Sequence, residues 1–238
     1  MTWMDQRILG LDTETTGSDP MTCLPVSFAL CEFDHGEPVR QRYGLVKPGI
    51  SISPEATAVH GISDADVEAR GGELEATIRG LAKTIEAAVE TQVPLCAFNA
   101  SFDLSLLSET HRRLLGAPLV DDEWLGLVID PLVLDRHVER YRKGSRKLGA
   151  VSDRYGVKLD NAHHAAADAE AAVRVAIAIG RIFPEVGMAD LRTLHVLQRS
   201  WYAEWHKEFS EYRVSRGEKA LDPEDSSWPC RGLTRVPL

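Results

Sequence analysis

No stretch of this 238-residue sequence approaches the roughly 20 consecutive apolar residues that a membrane-crossing helix needs, so no membrane role is expected. The opening Met1-Thr2-Trp3-Met4 runs straight into an apolar segment and leaves no room for a signal peptide, which makes the cytoplasm the expected location. Cysteine is scarce. Cys23, Cys31, Cys96 and Cys230 show no paired spacing, which argues against a disulfide framework or a zinc site and predicts small buried thiols. Positive charge is also short: 27 Lys and Arg against 36 Asp and Glu give a net charge of −9, unlike a protein whose whole surface attracts nucleic acid. There is no internal repeat.

What remains is ordinary for a globular enzyme, with 44% apolar and 26% charged residues. A chain of this length can form one substantial α/β domain, burying roughly 70% of its unfolded surface. Ile8-Leu9-Gly10-Leu11 reads as a buried central strand, followed by strands over Val26 to Phe33 and Val39 to Val46 around the turn Asp34-His35-Gly36-Glu37. Ser53 and Pro54 have the pattern of a helix cap and first helical residue, with an end near Gly61. Leu74 through Val89 repeats apolar residues at helical spacing. Pro94 to Phe98 and Leu127 to Ile129 are further strands, with helices expected from Ser101 toward Leu115, over Leu148 to Tyr155, and over Ala165 to Ile179, ending at Gly180. The expectation is five strands, the first three antiparallel, with helices interleaved.

From residue 184 the composition changes. Trp201, Tyr202, Trp205, Phe209 and Tyr212 mark an aromatic amphipathic helix or pair of helices, and the chain beyond Leu221 reads as an extended segment, packed or free. Residues 1–183 are therefore expected to form the main domain and 184–238 a helical and extended appendage packed on it.

Acidic residues fall at the ends of these elements. Asp12 and Glu14 lie two apart, so on a strand both point to one side. Asp103 stands in the first turn of the helix after the fourth strand, at the carboxyl edge where open α/β sheets place their sites. Helix-terminal charge stabilisation is the alternative role for it. Asp168 lies among alanines, where a buried carboxylate needs a counter-charge; a metal ion, a salt bridge to Arg174 or simple exposure each account for it. On a continuous helix His163 and Asp168 would lie about 140° apart, so they converge only if His163 sits on the loop ahead of the helix.

Leu11-Asp12-Thr13-Glu14-Thr15-Thr16-Gly17, Asn99-Ala100-Ser101-Phe102-Asp103 and His163 through Asp168 resemble the three exonuclease motifs of the DEDD superfamily in its histidine-containing, DnaQ-like branch. That branch includes the epsilon subunit of bacterial DNA polymerase III and ribonuclease T. Val59-His60-Gly61-Ile62 matches a loop often seen there, and the resemblance covers roughly Arg7 to Ile182. It implies a ribonuclease H-like fold, Asp12, Glu14, Asp103 and Asp168 as metal ligands, and His163 as general base.

A 3′→5′ exonuclease using two Mg²⁺ or Mn²⁺ ions is the expected activity, acting on 3′ ends of DNA, preferably single-stranded, and releasing 5′-mononucleotides. Two such ions would offset four negative charges. Thr15, Gly17, His60, Asn99 and Phe102 are the expected contacts to the terminal nucleotide. The basic run from Arg136 to Lys147, with Arg146 and Lys147 at its end, is either a solvated helix face or a backbone-phosphate patch. Two other readings stand beside this one: a nuclease that trims RNA or short oligoribonucleotides, and a silent scaffold whose aromatic segment holds a polymerase or a second copy.

Overall fold

The computed structural model describes residues 2–121, 124, 126–159 and 163–233. Its centre is β1 (Ile8–Thr15), paired antiparallel with β2 (Pro25–Asp34), which pairs antiparallel with β3 (Glu37–Lys47). Between β2 and β3 the chain reverses through His35 and Gly36, both at positive φ (51° and 78°), the two-residue turn whose twist matches its strands. On the far side of β1 lie β5 (Leu95–Cys96) and β6 (Val128–Ile129), both parallel to it. The sheet has six strands rather than the expected five, because β4 (Gly72–Glu73) adds a short parallel pairing to β3. Two residues carry no alternation, so the sequence offers no sign of it.

Helices cover both faces. Along β1, Ile8 joins the core beneath α7 (Ala165–Ile182), whereas Leu9 and Leu11 join the core beneath α3 (Leu74–Glu90) and α4 (Ala100–Leu115). The period of two thus assigns even positions of β1 to α7 and odd ones to α4. Gly10 permits the closest approach: a Cβ there would stand 2.9 Å from both the Ala169 carbonyl and Val173 Cγ2.

α1 (Pro54–His60) begins and ends as its sequence predicts, with Ser53 Oγ accepting from Ala56 N–H and Gly61 left-handed at φ 73°. α2 (Asp64–Arg70) and α5 (Pro131–Val138) are additions to the expected set, although Ser63 with Asp66 forms a capping box for the first, and Asp130 caps the second ahead of Pro131. α6 (Leu148–Arg154) matches its expectation. Gly180 does not end α7. It is buried inside the helix, where a Cβ would strike Met4 and Trp3, and it faces Gly187 at the end of α8 (Pro184–Gly187). Glycine there serves packing, not termination. The four cysteines are buried and free, and among the described residues no helix is long and apolar enough to cross a membrane.

α9 (Leu191–Ser215) lies along β6, the edge strand, and supplies what a further strand would have supplied. His195 Nδ1 accepts from Val128 N–H (3.1 Å), Gln198 Oε1 accepts from Asp130 N–H (2.7 Å), and Gln198 Nε2 donates to the Val128 carbonyl (2.9 Å). Polar side chains on a helix thereby satisfy an open sheet edge. The aromatic stripe of α9 divides: Trp201 stacks on His137 at 3.7 Å and Trp205 lies under the Arg136 guanidinium at 3.4 Å, while Phe209 and Tyr212 are 37% and 57% exposed. Beyond α9, Trp228 and Cys230 are buried against α4 and its neighbours, and residues 234–238 fall outside the described part.

Candidate functional site

At the carboxyl end of β1 the alternation of the strand divides an acidic cluster between two helices. Asp12 and Glu14, on the α7 side, meet Asp168 from the first turn of α7, and one carboxylate oxygen of each lies within 4.8 Å of the others. Thr13, between them, points to the α4 side and donates from Oγ1 to Asp103 Oδ1 at 2.6 Å. The close passage of α7 over Gly10 fixes the depth of Asp168, because the carbonyl that a Cβ would strike belongs to the next residue, Ala169.

The electrostatics are those of crowded like charges. Burial and then the charges of Asp103, Glu14 and Asp168 push the Asp12 carboxyl well above the usual carboxylate range. Glu14 is pushed up to about 8 by burial and by Asp168 and Asp103. Asp103 rises to about 7 through burial, opposed by the hydrogen bond from Thr13. Asp168 is raised by burial, opposed by the His163 N–H. Buried Asp168 Oδ1 has no hydrogen-bond partner among the described residues. An all-oxygen donor set, mutual repulsion and an orphaned carboxylate oxygen together fit hard divalent cations such as Mg²⁺ or Mn²⁺.

His163 lies on the turn before α7, left-handed at φ 68° and exposed, and its backbone N–H donates to Asp168 Oδ2 at 3.1 Å. His164, by contrast, stacks on Tyr43 with ring centres 4.7 Å apart. His60 Nδ1 accepts from Ile62 N–H, which puts the ring proton on Nε2, 3.2 Å from the Thr15 carbonyl it faces. Burial lowers the pKa of His60, so its neutral form ties the loop after α1 to the end of β1.

Thr15 Oγ1 donates to the Gly17 carbonyl (2.6 Å) and fixes the turn beyond the strand. At Gly17 itself a Cβ would meet only Cys23 Cβ, at an ordinary 3.7 Å, so the fold makes no demand for glycine there. Asn99 adopts the left-handed conformation (φ 67°) that admits the chain into α4, and Phe102 is partly buried in the first turn.

Much of the basic run is paired within the protein, while Lys143 and Lys147 are exposed. Arg142 and Arg146 both pair with fully buried Asp135, at 3.0 and 2.5 Å. Arg146 also donates to the carbonyls of Asp135 and Glu139, Arg154 pairs with Glu139, and Arg140 pairs with Glu204 and Glu208 on α9. A buried carboxylate demands counter-charge, and these arginines supply it. Arg146 is thus engaged as an internal fastener, while exposed Lys147 serves as the N-cap residue of α6.

Sequence reasoning passes over Asp130. Fully buried, it accepts from Asn99 N–H (3.0 Å), Ala100 N–H (2.9 Å) and Leu132 N–H (3.0 Å), joining the end of β6 to the start of the helix that carries Asp103. The Asp130-Pro131 pair is a legible helix-start signal for half of that role.

Residues 9–176 match the RNase_T family, described as exonuclease. DNA polymerase III PolC-type from Streptococcus thermophilus is 30% identical over 187 residues, covering 77% of this chain and 12% of the polymerase. The PolC-type polymerase of Thermotoga maritima is 24% identical over 197 residues, covering 83% of this chain and 14% of its own length. Among solved structures, E. coli exonuclease I in complex with a dT13 oligonucleotide superimposes with a TM-score of 0.64 at 21% identity, over 76% of this chain and 42% of that one. Exonuclease I from Methylocaldum szegediense does so with a TM-score of 0.59 at 24% identity and the same coverage. The fold is shared with exonuclease I, and the chain spans only a part of each relative.

Proposed function

The chain belongs to the RNase_T family of exonucleases, in its DnaQ-like group, and from that premise we propose that it hydrolyses the terminal phosphodiester at the 3′ end of single-stranded DNA, releasing 5′-mononucleotides with two divalent ions. The observation that carries this reading is the acidic cluster: three carboxylates within 4.8 Å of one another, a fourth held across β1 by Thr13, and an oxygen on Asp168 without a partner among the described residues. Asp12, Glu14 and Asp168 would hold one ion, and Asp12 with Asp103 the other. The chemistry such ions supply is Lewis acidity, which acidifies water and neutralises charge on the phosphate and leaving oxygen.

His163 is the general base in this reading. An imidazole on an exposed turn can take a proton from water near neutral pH and pass it to solvent. Its backbone bond to Asp168 links the position of the base to that of a ligand. The Thr15–Gly17 turn offers backbone to the 3′ nucleotide, with His60 fixing its far side. The single-stranded DNA assignment draws on the exonuclease I relatives, whose structures hold dA16 and dT13 oligonucleotides. Residues 184–238 we read as an appendage that completes the fold, because α9 satisfies the edge of β6.

The test is incubation of the full chain with 3′- and 5′-labelled single-stranded DNA, duplex DNA and short RNA, under Mg²⁺, Mn²⁺ or EDTA, beside Asp12→Ala and His163→Ala. The expected result is metal-dependent shortening from the 3′ end of single-stranded DNA, abolished in Asp12→Ala and reduced roughly 10²- to 10⁴-fold in His163→Ala. Preferential cleavage of short RNA would move the substrate assignment to RNA. No cleavage of any substrate under either metal would leave a binding module.

A further inference from the structure

Trp228 is 1% exposed although it lies in a segment with no regular element beyond a single 3-10 turn at Pro223–Ser226. A buried indole N–H needs an acceptor, and this one donates to Asp130 Oδ2 at 3.3 Å. The same oxygen takes Ala100 N–H, and the other takes Asn99 N–H. One carboxylate thus connects the C-terminal segment with the first turn of α4, three residues ahead of Asp103. Two further contacts run the same way. Arg231 N–H donates to Ser105 Oγ at 2.8 Å, and Ser105 Oγ donates to the Ser101 carbonyl within the first turns of α4. The Arg231 guanidinium pairs with Asp225 at 3.0 Å and reaches Asp19 at 3.5 Å, in the loop that leaves β1.

We propose that residues 222–233 form a strap that sets the acidic site from behind, with Trp228 as a positioning residue acting through Asp130 on the turn that presents Asp103. The strap lies outside the span matched by the family, which ends at residue 176. It touches the two segments flanking the cluster, the start of α4 and the loop after β1. Asn99 is where such a brace acts. Its left-handed backbone, which asparagine adopts more readily than most residues, sets the angle at which the chain enters α4. The Asp130 carboxylate is bonded to Asn99 N–H, and Trp228 limits how that carboxylate can turn.

The inference rests on the metal-site reading above, and its test separates the two. Mn²⁺ binding to the full chain is measured by calorimetry for the wild type, Trp228→Phe, which keeps most of the ring and loses the N–H, and Arg231→Ala. Thermal midpoints and steady-state kinetics on a single-stranded oligonucleotide are recorded beside it. Both variants are expected to bind Mn²⁺ roughly three- to tenfold more weakly, somewhat less than the loss typical of groups bonded directly to metal ligands. Turnover should fall while KM stays close to the wild type. A wild type that takes up no Mn²⁺ overturns the site and the strap together. A wild type that binds, with variants that match it in affinity and turnover, overturns the strap alone. So does a variant that loses thermal stability while keeping Mn²⁺ affinity and turnover, since the segment would then serve stability only. If Trp228→Phe does not fold, β-(3-benzothienyl)alanine incorporated at position 228, which keeps the bicyclic ring and removes the N–H to Asp130, decides between these outcomes by the same measurements.

Discussion

Gly17 stands three residues beyond Glu14 in a turn where the protein itself leaves room for a methyl group. In the proposed function that glycine leaves room for the terminal nucleotide. Gly17→Ala is therefore expected to melt with the wild type while raising KM for a single-stranded oligonucleotide roughly fivefold, about 1 kcal/mol of lost contact. An unchanged KM would remove Gly17 from the substrate surface. Asp12, Glu14, Asp103, Asp168 and His163 can be picked out as candidates from local spacing and resemblance. What the spacing cannot show is how Thr13 links Asp103 to β1, because that bond joins residues 90 positions apart. Arg146 is illegible for the same reason: a basic run looks alike whether it faces solvent or a buried acid such as Asp135 eleven residues away.

At the scale of elements, α9 is where sequence pattern and structural role diverge most. Its periodicity announces an aromatic face, yet its closest bonds to the sheet come from His195 and Gln198. Because His195 Nδ1 accepts a hydrogen bond in a buried place, burial and Arg199 hold its pKa down at about 4, below the ordinary 6.5 of histidine. The unfolded chain then binds the proton that the native one refuses, so this contribution is intact above about pH 6.5 and is lost as pH falls toward 4. The full loss is on the order of 3 kcal/mol. His195→Asn, which keeps an acceptor near the Nδ1 position, is expected to gain thermal midpoint relative to the wild type as pH falls from 6.5 to 4.5, both carrying the same acidic cluster; a difference between the two that stays constant with pH would remove His195 from the acid response. Strands β1 to β3 and helices α1, α3 and α4 are legible because each carries its own alternation, period or cap. β4 and the passage of α7 through Gly180 are not, since partners distant in sequence define both.

For the molecule as a whole, the acidic cluster opposes folding when no cation is bound. Glu14 and Asp103 hold their protons in the native state up to about 8 and 7, while an unfolded chain releases them in the usual carboxylate range. The native state then binds more protons than the unfolded one, so stability falls as pH rises through that window. Above pH 6.5 the His195 contribution is constant and this one stands alone. In EDTA the thermal midpoint is expected to drop between pH 6.5 and 8.5, and Mn²⁺ should abolish the drop. A flat profile in EDTA would mean that the carboxylates do not repel one another as their crowding requires.

The paired arginines of the connection from α5 to α6 and the end of α6 have a consequence for how the protein meets a polyanion. With Asp135, Glu139, Glu204 and Glu208 as partners for Arg140, Arg142, Arg146 and Arg154, few guanidinium groups are left in this stretch to displace the condensed counterions of a DNA strand. Affinity should then decline only gently with added salt, with a log–log slope no steeper than about −2, where each phosphate neutralised on a single strand contributes about −0.7. Such a grip would rest on shape and stacking at one terminus, and would persist at ionic strengths that release a protein clinging along the backbone.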